Sequence, residues 1–297
     1  MRRRSKLKRN EGIAGLLFVT PSMVYFFVFF MIPLAICVYA SFTNWNILSV
    51  KRTFVGLRNF EKMFSDPKFW KALKNTLYML IPIPIYTAFA LAFAYCCHKR
   101  ILGEKVFRVV YYLPFISSVV ALVLIWKWLF NSQYGLVNNF LALFDVAGPD
   151  WLGDPVWTRR MIVIMISWKM IGIISIYYIA ALKNVPQEYY EAASIDGASS
   201  WQQFRKITFP MLTPTTFYII VMGLIGSLQT CVEVQLFASD GGRNYGVGTI
   251  VFYIWQKAFE SSQMGYACAV ASVFGLLIMV ITAGQFLLSN KWVYGGD

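Results

Sequence analysis

Polar residues that could do chemistry fall in two places in this otherwise apolar chain. The first is a set inside a long hydrophobic run: Ser227, Gln229, Thr230, Glu233 and Gln235. Polar and ionisable side chains inside a membrane segment are costly and mark a solute or ion pathway by default. Ser227, Thr230 and Glu233 recur at a spacing of three, so a helix would put them on one face, lining a water-filled cavity. In another run, Trp168 offers a flat ring for stacking on a solute, and Lys169 can snorkel to the interface or pair with Glu233. About half of such polar groups serve only to bond neighbouring helices, and Tyr177 and Tyr178 read as packing. The second place is EYYEAASIDGASSWQQFRKITFPML, Glu188 to Leu212, the longest polar run among the later hydrophobic blocks.

Other chemistries are absent. The five cysteines, Cys37, Cys96, Cys97, Cys231 and Cys268, lie in or beside apolar runs with no CxxC spacing, and read as small buried hydrophobes. The one histidine, His98, closes an apolar run ahead of Lys99 and Arg100, so neither a zinc site nor a histidine base is indicated. No GxxxxGK[ST] phosphate loop, GxSxG elbow, HExxH or paired carboxylates occur. The chain carries no catalytic constellation and no metal site.

The elements that hold these residues are set by composition. Of 297 residues 58% are hydrophobic and 14% charged, with mean hydropathy +0.56, whereas soluble domains carry about 25% charged residues. Six runs reach the roughly 20 apolar residues that a spanning helix needs: about 13–40, 75–97, 106–130, 161–182, 213–238 and 265–289. None alternates with the period of two that a membrane strand requires. The reading is an all-α membrane protein of six transmembrane helices, several kinked by Pro21, Pro33, Pro82, Pro84 and Pro114. The first run is too long for a signal-peptide core. Residues 1–12 form a basic N-terminus, 13–289 a single transmembrane domain and 290–297 a tail.

An even number of crossings puts both termini on one side. The N-terminal cluster, Lys99, Arg100, Lys105, Arg108, Lys183, Arg205, Lys206 and Lys291 would then share the cytoplasm. The far side receives Arg159, Arg160, Arg243, Lys257 and an unusually basic first segment holding Lys51, Arg52, Arg58, Lys62, Lys68, Lys71 and Lys74. That segment is also aromatic and amphipathic, fit to lie in the interface or to pack on the outer helix ends. Thr249 to Phe259 is a second such piece. The net charge of +13 follows from these flanks and forms no basic stripe for nucleic acid.

Residues 186–210 therefore lie in the cytoplasm between the fourth and fifth crossings. They read as helix, turn, helix. Asn184 can cap the first helix with Pro186 in its first turn, and Glu188 and Glu191 complement its positive end. Gly197 permits the turn. Ser199 or Ser200 can cap the second piece, on which Trp201, Phe204, Ile207 and Phe209 recur with helical period. Pro210 closes it. A small, structured, partly apolar knob of this kind suits docking to a soluble partner.

Glu191-Ala192-Ala193, three residues, Gly197, nine residues and Ile207-Thr208-Phe209-Pro210 is similar to the EAA motif of binding-protein-dependent ABC importer permeases. Phe209 stands where the family usually has Leu, keeping an apolar contact. VGLRNF with DPKFWKALKNT, YYLPF, WKWLFNSQYGLVN and DWLGDP, in this order, look like the sugar-importer branch, the six-span partner of the maltose-type permease pair. The resemblance implies that Glu191, Ala192, Ala193, Gly197, Ile207, Phe209 and Pro210 couple the bundle to an ATPase cleft. It also implies a second homologous permease, two ATPase subunits carrying the ATP and Mg, and an extracytoplasmic solute-binding protein, in a bacterial-type cell membrane. In that branch sugar contacts come from the span after the EAA loop and the span before it. Trp168, Ser227, Gln229, Thr230 and Glu233 are the substrate-path candidates here, with hydroxyls where the family has amides. The rival expectation is an ATPase-independent secondary transporter or channel that uses Glu233 and Lys169.

Overall fold

The structure, a computed structural model, describes residues 2–49, 52–98 and 104–294. Lys51, Lys99 and Arg100, which enter the charge reading, lie outside the described residues. In chain order the helices are α1 (Arg2–Phe26), α2 (Ile32–Ser41), α3 (Arg58–Ser65), α4 (Pro67–Tyr78), α5 (Pro82–His98), α6 (Glu104–Ile116), α7 (Val119–Leu129), α8 (Leu136–Ala142), α9 (Pro155–Lys183), α10 (Gln187–Ile195), α11 (Ser200–Gln203), α12 (Phe209–Leu228), α13 (Val232–Phe237), α14 (Ile250–Trp255) and α15 (Met264–Ser289). Among the described residues there is no β-strand, and one isolated antiparallel bridge pairs Thr43 with Phe54.

Five helical runs are long and apolar enough to cross a bilayer: Ala14–Ser41, Pro67–Cys97, Pro155–Lys183, Ser200–Leu228 and Met264–Ser289. Each has at least 26 residues, and at about 1.5 Å per residue outreaches a hydrocarbon core of about 30 Å. The chain is an all-α membrane protein. The run expected as one helix kinked at Pro114 over 106–130 is instead a bent pair, Val110–Ile116 and Val119–Leu129, meeting at 112°. The bend is not at Pro114, which stays inside α6. It comes at Ser118, whose backbone is extended (φ −58°, ψ 132°).

Other prolines also differ from simple kinks. Pro82 opens α5 after a turn at 79–81, where its missing N–H is one that a helix start leaves unpaired anyway. Pro33 follows a wide turn in which the Ile32 N–H reaches back five residues to the Phe27 carbonyl. Such turns insert a residue and give a ring room inside a continuing helix.

The chain forms two compact units, residues 1–65 with 254–273, and residues 66–253 with 274–297. In the first, Asn59 donates to the Ser41 and Thr43 carbonyls at 2.8 Å each. Gly265 lies beneath Thr43, where a Cβ would collide with the Thr43 carbonyl, and its N–H donates to the Trp45 carbonyl at 2.9 Å. Most apolar side chains of α1 and α2 stay exposed, as a lipid solvent permits.

In the second unit α5, α6 and α12 pack against α9. Tyr86, Ala90 and Ala94 recur every four residues on α5 and meet Ile174, Tyr178 and Leu182 of α9 and Leu212 and Ile219 of α12 in one buried cluster. The Tyr178 hydroxyl bonds the Thr216 hydroxyl at 3.0 Å, so a buried polar group keeps its partner. Gly172 of α9 lets α6 approach closely; a Cβ there would collide with the Tyr111 carbonyl. α4 buries Phe69, Ala72, Asn75 and Thr76 while Trp70 and Leu77 point outward, so the amphipathic segment packs one face inward. After α15 the chain folds back on α12: the Tyr294 N–H donates to Thr213 Oγ1 at 2.8 Å, and Trp292 meets Phe217 with ring centroids 6.0 Å apart.

Candidate functional site

The segment between α9 and α12 is held by local bonds. α10 ends on Gly197 at φ +77°. The Ala198 N–H returns to the Ala193 carbonyl at 2.9 Å and the Gly197 N–H to the Ser194 carbonyl at 3.1 Å, a two-bond termination that needs a left-handed residue at this position. Ser199 then caps α11 reciprocally with Gln202, the Ser199 N–H donating to Gln202 Oε1 at 2.7 Å and the Gln202 N–H to Ser199 Oγ at 3.4 Å. The two arms are tied by Gln203 Nε2 to Ser194 Oγ at 3.0 Å and by the Tyr190 and Thr208 hydroxyls at 2.9 Å.

Two expectations for this element need correction. Asn184 does not cap α10: it ends α9, its N–H bonding the Ala181 and Leu182 carbonyls, and Pro186 precedes α10 with no side-chain cap. Pro210 does not close the second piece. Helix runs from Ser200 to Leu228 without a break, because a wide turn over 204–208, in which the Phe209 N–H reaches the Phe204 carbonyl, accommodates the proline ring. The second arm of the knob is therefore the start of the crossing helix itself.

Of the EAA residues, Glu191, Ala192, Gly197 and Phe209 are exposed, Ala193, Ile207 and Pro210 half-buried. Beside them stand two bare apolar side chains that the motif does not name, Ile195 at 87% and Trp201 at 67% exposure. Large apolar groups on a polar, self-bonded element mark a contact surface. A cavity of about 500 Å³ is lined by Tyr95, Tyr190, Glu191, Ile195 and Gln203 among others.

The second polar set is arranged differently from its sequence spacing. α12 ends at Leu228, and Cys231 (φ −140°, ψ −56°) leaves the helix before α13 begins. One helical face over 213–238 is thus interrupted. Ser227 and Thr230 are buried. Thr230 Oγ1 donates to the Ser227 carbonyl at 2.8 Å, and the Thr230 carbonyl accepts from Thr249 Oγ1 at 2.6 Å. These groups fix the break. Gln229 is exposed, Glu233 is half-buried in the first turn of α13, and Trp168 is exposed with its ring 6.0 Å from Trp126. Lys169 is half-buried, and among the described residues it forms no ion pair with Glu233.

Sequence reasoning passed over a polar knot at the other end of α9. Asn75 of α4, 3% exposed, donates to the Tyr245 and Gly248 carbonyls at 3.0 Å each and accepts from Arg159 Nη1 at 2.8 Å. The Ile250 N–H donates to Thr76 Oγ1 at 2.8 Å. Lys127 of α7 donates to the Leu236 carbonyl at 3.2 Å, tying α7 to α13. The only signal was an Asn and a Thr at the mouth of an apolar run. Among the described residues no cluster of His, Cys, Asp and Glu could hold a metal ion.

Residues 81–293 match the model of the family described as "Binding-protein-dependent transport system inner membrane component". The chain belongs to this family. The family match spans α10, the exposed turn at Gly197 and the broken crossing, which makes them parts of a membrane transport component. Among curated relatives of this inner membrane component, the lactose transport system permease protein LacF of Rhizobium radiobacter is 34% identical, covering 97% of this chain and 98% of its own length. The probable ABC transporter permease protein YesP of Bacillus subtilis (strain 168) is 33% identical over 98% and 95%. The fold of this inner membrane component also matches a solved chain of a bacterial alginate ABC transporter, in complex with an alginate pentasaccharide-bound periplasmic protein. The TM-score is 0.82 at 24% identity, with all of both chains covered.

Proposed function

We propose that this chain is the membrane-spanning subunit of an ATP-driven importer that carries a sugar or oligosaccharide into the cell by alternating access. Relatives named for lactose and for arabinooligosaccharides, each above 30% identity over at least 95% of the chain, support the substrate class. The observation that carries the mechanism is the exposed, self-bonded turn at Gly197, continuous with a crossing helix. Two ATPase subunits hold the ATP and Mg. One of them closes on Glu191, Ala192, Ala193, Gly197, Ile207, Phe209 and Pro210 with Ile195 and Trp201, and its closure drives α12. A second, homologous permease completes the pathway, and an extracytoplasmic binding protein delivers the solute.

Both termini and the Gly197 turn face the cytoplasm of a bacterial-type cell. In support, the tail at Trp292 and Tyr294 packs on the same end of α12 that bears the turn. Gln229, Glu233 and Trp168 touch solute, whereas Ser227 and Thr230 shape the break. Gly197→Asp or Glu191→Lys should abolish uptake from a panel of radiolabelled lactose and pentose oligosaccharides, and also binding-protein-stimulated ATP hydrolysis. Uptake and stimulation that both survive would overturn the coupling assignment.

A further inference from the structure

At the end of α9 away from the Gly197 turn, a cavity of about 420 Å³ is lined by Lys71 and Lys74 of α4, Arg159 of α9, and Arg243 and Asn244 of the loop before α14. Among the described residues none of its four cations is paired with a carboxylate. Arg159 is held by its bond to Asn75 and lies over the Tyr78 ring, 5.2 Å from the centroid, yet its Nε is buried with no partner. Lys71 Nζ is fixed by Asn244 Oδ1 at 2.6 Å.

The loop wall is built rather than loose. Asn244 and Tyr245 both have left-handed backbones, at φ 56° and 57°, a conformation that costs a non-glycine residue energy and persists only where surroundings impose it. The surroundings are visible: a Cβ on Gly241 or Gly248 would strike the Tyr245 ring, and Asn75 bonds the Tyr245 carbonyl.

A rigid cluster of unpaired cations favours an anionic occupant. Its position narrows the choice. α9 has 29 residues, about 43 Å at 1.5 Å per residue, so cavity and coupling turn sit at opposite membrane surfaces. On the import reading the cavity faces outward, where cations count against the expected topology. Lipid headgroups are present at both surfaces and give no reason for that asymmetry; an acidic protein that arrives only from outside does. Arg159 and Trp168 are nine positions apart, which at about 100° per residue puts them on opposite sides of α9, so the cavity is off the solute face.

We propose that this basic cavity is the docking socket for acidic side chains of the extracytoplasmic solute-binding protein. This rests on the import reading. An entering carboxylate is drawn to the charge of Arg159 and Lys71 in the cavity wall, with the exposed Lys74 and Arg243 at the rim supplying attraction over distance. Contacts of this kind act mainly on association rate and salt dependence.

The test uses the importer purified with its ATPase subunits in phosphatidylcholine nanodiscs, titrated with the solute-binding protein encoded alongside it, with ATP hydrolysis as readout. The double variant Lys74→Glu, Arg243→Glu should raise the half-saturating concentration of binding protein more than tenfold at low salt and flatten its salt dependence. Lys74→Arg with Arg243→Lys should behave as wild type, and an unchanged melting temperature shows that the variants fold. A saturable wild-type response that the double variant leaves unchanged overturns this proposal alone. An effect that appears only when phosphatidylglycerol is added assigns the socket to lipid and also overturns it. A wild-type complex that responds to no binding protein overturns the import reading and this proposal together.

Discussion

Replacing Asn75 by alanine isolates the knot that holds the loop before α14 to α4. The amide donates to two backbone carbonyls, those of Tyr245 and Gly248, and accepts from Arg159. A buried carbonyl deprived of its donor costs about 1–3 kcal/mol. The cavity beside them admits water, which replaces part of each bond, leaving about 2–4 kcal/mol for the pair. At about 2–4 °C per kcal/mol for a chain of this size, the apparent melting temperature should fall by roughly 4–16 °C. The assay is monodisperse recovery of the detergent-solubilised protein after graded heating, with protease cleavage of 238–249 as a local readout. Asn75→Asp keeps an acceptor for Arg159 but offers the carbonyls no donor, so the loop should be cleaved as fast as in the alanine variant. The reasoning is refuted if Asn75→Ala melts within about 1 °C of wild type, or if Asn75→Asp protects the loop fully.

Three further outcomes follow from the packing. Nothing lies within 4 Å of a Cβ added at Gly197, so Gly197→Ala carries only the left-handed penalty of about 1–2 kcal/mol; ATPase coupling should weaken several-fold, and Gly197→Asn, which tolerates that conformation, should recover part of it. Thr216→Val should destabilise more than Tyr178→Phe in the same heating assay, because it strands the buried Tyr178 hydroxyl, whereas Thr216 without Tyr178 still donates to the Leu212 carbonyl at 3.0 Å. Gly172→Leu should separate α6 from α9 and abolish folded yield, while Gly226→Ala, with open space at its Cβ, should be recovered as wild type.

The helical membrane class was legible because lipid forces each crossing to be a long apolar run, and such runs survive any arrangement of neighbours. The turn at Gly197 was legible for a related reason: a left-handed position and a serine cap leave their residue types in place. The breaks were not. Cys231 leaves the helix with no Gly or Pro within four residues; the break is fixed by Thr249, nineteen positions away in the Thr249–Thr230 bond. Pro114 and Pro210 misled in the opposite sense, because a proline can be absorbed by a wide turn or precede the true bend. Asn75 was hidden because three long-range bonds converge on one amide at the edge of an apolar run, a pattern that spacing does not record.

The wide turn at 204–208 has a mechanical consequence. With no flexible joint between Ser200 and Leu228, the tip beside the Gly197 turn and the far end of that rod share one azimuth. Adding a single residue after Thr208 would swing everything beyond it through about 100° and turn the Gln229 end away from its neighbours. Deletion of one residue would swing it equally the other way. The segment therefore works as a crankshaft whose throw is set by residue count, and its length is under tighter constraint than its side chains.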